Sequence, residues 1–247
     1  MLLQRKTAVI TGCNRGIGKK ILEVFSENGA NIFACVRKID EQFLSLINSL
    51  SKKKKIKIFP FEINFEDSES TKETAKLILQ QNVPIDILIN NAAIIENSLF
   101  QMTSIKNLKK IFEVNFFSQS IFTQFILKSM TKNRNGSIVY ISSSSAMDGN
   151  IGRNAYSSSK AALISQAITL SREVGSLGIR VNTIAPGLTD TDMMQQNTPF
   201  NIKKEVISKL SLKRVGKPID IANVALFLSS DLSDYITGQT IRADGGM

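Results

Sequence analysis

Thr7-Ala8-Val9-Ile10-Thr11-Gly12-Cys13-Asn14-Arg15-Gly16-Ile17-Gly18-Lys19 is the stretch on which the fold of this chain turns. Thr7–Thr11 reads as a short buried strand, and the pattern from Gly18 to Asn28 has helical period. Between them the glycines are spaced G-x-x-x-G-x-G. Such a turn lets backbone approach a pyrophosphate, while the helix that follows presents unpaired N–H groups and the positive end of its dipole.

Outward from this unit, the chain repeats the same alternation of apolar runs and helical patterns. The further strand candidates are Asn31–Val36, Ile56–Phe61, Ile85–Asn90, Ser137–Ser142, Arg180–Ala185 and Gln239–Ala243. Helical patterns cover Ser68–Gln81, Ile105–Lys132, Ala155–Leu177 and Pro218–Ser229. Several strands are apolar throughout, as expected where helices cover both faces of a parallel sheet. The expectation is an α/β, doubly wound Rossmann fold with a seven-stranded parallel sheet flanked by helices, in one domain spanning residues 1–247. Leu188–Lys204 mixes Pro, Asn and helix signals and reads as a mobile lid over a substrate pocket.

Composition narrows the chemistry. Histidine is absent, so histidine acid–base catalysis, a Ser-His-Asp triad and a usual zinc site are excluded. Cys13 and Cys35 show no metal-ligand spacing, and no metal is expected. Lys and Arg number 31 against 21 acidic residues, a net charge of +10. That balance suits an anionic partner or a solvated basic surface, and the run Lys52–Lys55 is read as the latter. Nucleic-acid binding would rest on charge alone and is not expected. No apolar run is long enough for a membrane span, and Met1–Lys6 leaves no room for a signal-peptide core before charge appears; a cytoplasmic location is expected.

The end of the second strand speaks to the cofactor. NAD sites place an acid there for the ribose 2′-OH, whereas NADP sites place Arg nearby. Here Ala34-Cys35-Val36-Arg37-Lys38 has no carboxylate before Asp40, and Arg15 adds a second guanidinium from the glycine turn. Two arginines suit a 2′-phosphate, so NADPH (NADP+) is the expected cofactor.

Five further motifs occur in order: Asn90-Asn91-Ala92-Ala93, the Asn115 of Glu113-Val114-Asn115, Ser143, Tyr156-Ser157-Ser158-Ser159-Lys160, and Pro186-Gly187 with Thr191. With the glycine turn, they resemble the classical short-chain dehydrogenase/reductase family over essentially the whole chain. The resemblance implies a catalytic set of Asn115, Ser143, Tyr156 and Lys160. Tyr156 would protonate a carbonyl oxygen as hydride arrives at carbon, and Ser143 would hydrogen-bond that oxygen. Lys160, four residues on and so on the same helix face, would together with the oxidised nicotinamide favour the phenolate, and Asn115 would hold a water on a proton path.

The resemblance also implies cofactor contacts from Gly12, Arg15, Gly16, Ile17, Gly18, Arg37, Asn64, Asn91, Tyr156, Lys160, Pro186, Gly187 and Thr191. Two positions depart from the family pattern: Asn64 stands where Asp is common, and Ala93 where Gly is usual.

Within the family, Ala185–Met193, Ile236–Thr240 and Asp244–Met247 are most similar to carrier-protein-dependent 3-oxoacyl reductases. Sugar and polyol dehydrogenases share these signatures, and a non-catalytic NADPH-binding scaffold is a further alternative. The resemblance implies a homotetramer, with the last strand and the Ile105–Lys132 and Ala155–Leu177 helices at interfaces. It also implies docking of an acidic carrier through Arg134 and Arg172 beside the mouth of the site.

Overall fold

The computed structural model describes residues 1–247. Seven strands, β1 (Thr7–Thr11), β2 (Asn31–Val36), β3 (Ile58–Glu62), β4 (Ile87–Asn90), β5 (Gly136–Ile141), β6 (Ile179–Pro186) and β7 (Thr240–Ala243), form one sheet in the order β3-β2-β1-β4-β5-β6-β7. Every pairing is parallel. The chain crosses from one outer strand, β3, back to the centre at β4. The carboxyl ends of β1 and β4 therefore diverge, leaving a crevice where doubly wound sheets bind ligands.

Alternate residues of each strand feed two separate cores. Ala8, Ile10, Ile32, Ala34, Ile87 and Ile89 pack beneath α1 (Gly16–Glu27), α2 (Glu41–Lys54) and α10 (Pro218–Ser229). Val9, Phe33, Leu88, Ile138, Tyr140 and Val181 pack beneath α3 (Ser68–Leu79), α5 (Ser118–Asn133) and α7 (Asn154–Val174). Burial on both faces is why these strands carry apolar residues at successive positions instead of alternating with polar ones.

Strand and helix ends shift by one or two residues from the sequence expectation. Two differences go further. Helix α2 was not anticipated: Asp40 caps it by accepting from Phe43 N at 2.8 Å, Phe43 and Ile47 bury one face, and Lys55 ends it in the left-handed conformation. The Lys52–Lys54 run is its last turn, where cations complement the helix dipole.

The expected helix Ile105–Lys132 is present but carries an internal irregularity. Helix α4 (Ile105–Phe112) passes through a π turn at Glu113–Phe117 before α5 begins. Apolar periodicity does not register one inserted residue, because helical spacing resumes beyond it.

The remaining helices are α6 (Ser145–Asp148), α8 (Asp192–Asn197) and α9 (Phe200–Lys209). All three follow carboxyl ends of strands, on the crevice side. No helix is long and apolar enough to cross a membrane.

Packing at the glycine turn admits a direct test. Gly18 has an ordinary backbone conformation, but an added Cβ would overlap the Gly12 carbonyl and the Asn91 amide. Gly18→Ala should cost about 1–3 kcal/mol, the usual penalty of overpacking. In a chain of this size that corresponds to a fall in Tm of roughly 2–12 °C by calorimetry. An unchanged Tm would show that the turn is not the close-packed element described.

Candidate active site

A cavity of about 650 Å³ runs along the carboxyl ends of the strands. Its floor at one end is the glycine turn. Thr11 Oγ accepts from Asn91 N at 3.0 Å and Ala92 N at 3.1 Å, and donates to Ile89 O at 3.2 Å. Asn91 Nδ2 returns the contact, donating to Thr11 O and Gly12 O, both at 3.0 Å. Asn91 thus lines the cavity, but its amide nitrogen is spent on holding the turn to the end of β4.

Helix α1 opens into this end of the cavity with no side chain capping its first N–H groups and no acid in its first turn. Gly12, Arg15, Gly16, Ile17 and Gly18 line it, facing Pro186, Gly187 and Thr191 from across the crevice. Uncapped N–H groups, a backbone too crowded for a side chain at Gly18 and an adjacent guanidinium fit the pyrophosphate of a dinucleotide.

Arg37, Lys38 and Asn64 line the same end. Arg37 is largely exposed and pairs with Glu66 at 3.5 Å, while Lys110 holds the other Glu66 oxygen at 3.2 Å. Glu66 was missed in the sequence because it arrives from the loop after β3, remote from the β2 terminus where acids are sought. Asp40, the nearest acid in sequence, is committed to capping α2. Asn64 Oδ1 accepts from Glu66 N at 3.1 Å and so shapes the same loop. Ala93 lines the cavity without a positive φ, so an L-residue is accommodated there without backbone strain.

The other end is built where β5 meets α7. Ser143 lies just past β5, with its hydroxyl 2.8 Å from that of Ser145. Tyr156 and Lys160 share the inward face of α7, and Lys160 Nζ donates to Ile141 O at 2.7 Å. The ammonium lies 5.9 Å from the Tyr156 ring centre. Burial pushes the Lys160 amine down to about 7. Burial also raises the Tyr156 phenol, with the Ser143 hydroxyl and the Arg153 charge offsetting part of the rise. Without the cofactor, loss of solvent is the largest influence on the phenol. A neutral phenol is the form that donates a proton.

Asn115 is fully buried and lies behind the cavity wall, because the π turn aims it inward. Its amide bonds both Ile94 N and Ile94 O at 2.9 Å and donates to Ser159 Oγ at 3.1 Å. Ser159 Oγ in turn donates to Tyr156 O at 2.7 Å. This side chain braces the loop after β4 against helix α7. Ser159, inside the Tyr-x-x-x-Lys stretch, is the link that sequence reading passed over.

Arg134 and Arg172 do not flank the cavity. Arg134 precedes β5 and donates to Ser176 O at 2.9 Å, placing it at the amino end of the sheet. Arg172 lies 16 residues along the helical segment from Tyr156, about 24 Å at ~1.5 Å per residue. Arg134 stands before β5 has begun its run toward the mouth, and α7 has run away from the mouth by the time it reaches Arg172.

A family model described as enoyl-(acyl carrier protein) reductase matches residues 12–247. The chain is 37% identical to the 3-oxoacyl-(acyl-carrier-protein) reductase of Buchnera aphidicola subsp. Schizaphis graminum, covering 100% of this chain and 99% of that protein. It is 35% identical to the reductase of the same name from Thermotoga maritima, with the same coverage. Among solved structures, a putative NAD(P)-dependent gluconate 5-dehydrogenase from Beutenbergia cavernae, described with bound NADP at low occupancy, superposes with a TM-score of 0.92. It is 26% identical, over 98% of this chain and 96% of that one.

The Lys160 environment predicts a pH dependence of stability. The folded-state value, about 7, lies below the ordinary 10.5. Below pH 7 the fold carries the full cost of a buried ammonium. Between the two values the unfolded chain binds the extra proton, so stability rises with pH, and above 10.5 the cost is gone. The Tm of the cofactor-free wild type minus that of Lys160→Met should therefore rise from pH 6 to pH 9. Parallel Tm curves would contradict this.

Proposed function

Since the chain belongs to the short-chain dehydrogenase/reductase family, we propose that it is an NADPH-dependent 3-oxoacyl-(acyl-carrier-protein) reductase, converting a carbonyl to a secondary alcohol. The observation that carries the reading is the shared cavity wall of Ser143, Tyr156 and Lys160 beside the uncapped end of α1. Full-length likeness to reductases of that name supports the substrate class.

When bound, the dinucleotide would supply hydride. Gly12, Gly16, Ile17 and Gly18 would receive the pyrophosphate, Arg15 and Arg37 the 2′-phosphate, and Asn64 the adenine end. Asn91, Pro186, Gly187 and Thr191 would wall the remainder. Ser143 and Tyr156 would hold the carbonyl oxygen between two hydroxyls, and Tyr156 would give it a proton as negative charge develops. Lys160 would bind the cofactor ribose and relay a proton to Tyr156. Asn115 would act through position, by fixing the Ile94 loop and Ser159.

A pair of hydroxyls directed at one oxygen suits a ketone or thioester-linked ketone, and equally a sugar carbonyl. The likeness to a putative gluconate 5-dehydrogenase favours that second reading. A homotetramer would put Ile105 on α4 and Phe117 at the head of α5, both exposed here, at an interface. Docking of an acidic carrier through Arg134 and Arg172 would then require a neighbouring subunit to bring its own pair to the mouth. The family, the absence of a membrane-crossing helix and the basic surface are all compatible with a cytoplasmic enzyme.

Three measurements test the proposal. With NADPH, the protein should reduce acetoacetyl thioesters faster than sugar-acid ketones, and the reverse ranking would move the substrate to the sugar class. Tyr156→Phe should lower kcat about 10²- to 10⁴-fold with NADPH affinity kept; near-normal turnover would eliminate Tyr156 as proton donor. Arg37→Ala should raise KM for NADPH about tenfold or more, from loss of a charged hydrogen bond, and leave NADH kinetics unchanged. Equal losses with both cofactors would place Arg37 outside phosphate recognition.

A further inference from the structure

The segment read from sequence as a lid consists of α8 and α9. Its entry is fixed where Asp190 N donates to Gly216 O at 2.8 Å and Gly216 N to Leu188 O at 2.9 Å. Its exit is fixed where Leu212 N donates to Gly245 O at 3.0 Å. Between these anchors it is lightly held: α9 has no fully buried residue, and Phe200 is 71% exposed.

From Thr191 to Ile207, the hydrogen bonds that leave this segment converge on one point, the joint between α8 and α9. Arg153 Nη2 donates to Asn197 O at 3.2 Å and to Thr198 Oγ at 3.1 Å. Asn97 Nδ2 donates to the same Asn197 carbonyl at 2.9 Å. Arg153 is the residue just before α7, three positions ahead of Tyr156, and Asn97 belongs to the loop after β4. That loop is itself joined to Arg153, with Ser98 N donating to Gly152 O at 2.8 Å. Three separate walls of the substrate end thus meet at one carbonyl.

We propose that Arg153 is a positioning residue that latches the middle of the α8–α9 lid to the start of the catalytic helix and so retains the carbonyl substrate. A guanidinium suits the task because its planar fork grips a carbonyl and a hydroxyl with one nitrogen and leaves the others free. It also places a cation at the carboxyl end of α8, where the last carbonyls lack helical partners. Met193, Ile202 and Val206 line the cavity from the lid, so opening the latch would withdraw the apolar roof over the substrate and leave Ser143 and Tyr156 in place.

Amide hydrogen exchange on the full chain without ligand tests the latch directly, and steady-state kinetics with NADPH tests its consequence, which rests on the reductase reading. In Arg153→Met, amides of α8 and α9 should exchange about tenfold faster or more, while those of β5 and α10 stay unchanged. KM for an acetoacetyl thioester should rise about tenfold, while the pH dependence of kcat reports separately on the Arg153 charge beside Tyr156. Arg153→Lys should restore part of both effects. Asn97→Ala, an exposed site, should loosen the same amides less, since it removes one of the bonds to the joint.

Unchanged exchange in α8 and α9 of Arg153→Met would overturn the proposal. So would a loss of kcat at constant KM, which would assign Arg153 to the chemistry instead of the lid. If the wild type reduces no carbonyl at all, the reductase reading fails, and the exchange result still decides the latch.

Discussion

The clamp between Thr11 and Asn91 is the constraint from which the rest of the site follows. Each residue sits at the carboxyl end of a central strand, β1 and β4, and each satisfies backbone groups of the other's loop. The crevice between these strands exists because the chain crosses the sheet after β3, but topology alone would leave its two rims free to move. Four hydrogen bonds at 3.0–3.1 Å tie them together. Fixing the rims also fixes the uncapped start of α1, since the same turn feeds it.

The chemistry at the far end depends on burial more than on charge pairing. Tyr156 and Lys160 are both removed from solvent, and each is pushed toward its neutral form. The cofactor-free site is thus set with the phenol protonated and the amine close to losing its proton at neutral pH. An anionic ligand seated against Lys160 would favour the ammonium again, so occupancy and proton inventory are linked at this position.

Support for these groups comes from residues that never touch the cavity. The π turn at Glu113–Phe117 lets Asn115 reach both backbone atoms of Ile94 and, through Ser159, the Tyr156 carbonyl. An uninterrupted helix would direct that amide elsewhere. The irregular turn therefore couples the loop after β4 to the helix carrying Tyr156. Arg153 and Asn97 extend the same coupling outward to the lid.

The sequence by itself determined the seven strands and the glycine turn, though not helix α2, because buried strands need runs of apolar residues and a phosphate-binding turn needs glycines at fixed spacing. It also carried the four-residue spacing that puts Tyr156 and Lys160 on one helix face, while their grouping with Ser143 is what the family resemblance implies. Only the tertiary structure decided what distant segments do to one another. Glu66 reaches Arg37 from another loop, Asp40 is consumed as a helix cap, and Asn91 and Asn115 turn out to brace backbone. The positions of Arg134 and Arg172 at the opposite end of the sheet likewise follow from the direction in which β5 and α7 run. A hydrogen-bonding side chain has the same local signature whether it meets a ligand or a neighbouring loop, and only the packed chain determines which partner is within reach.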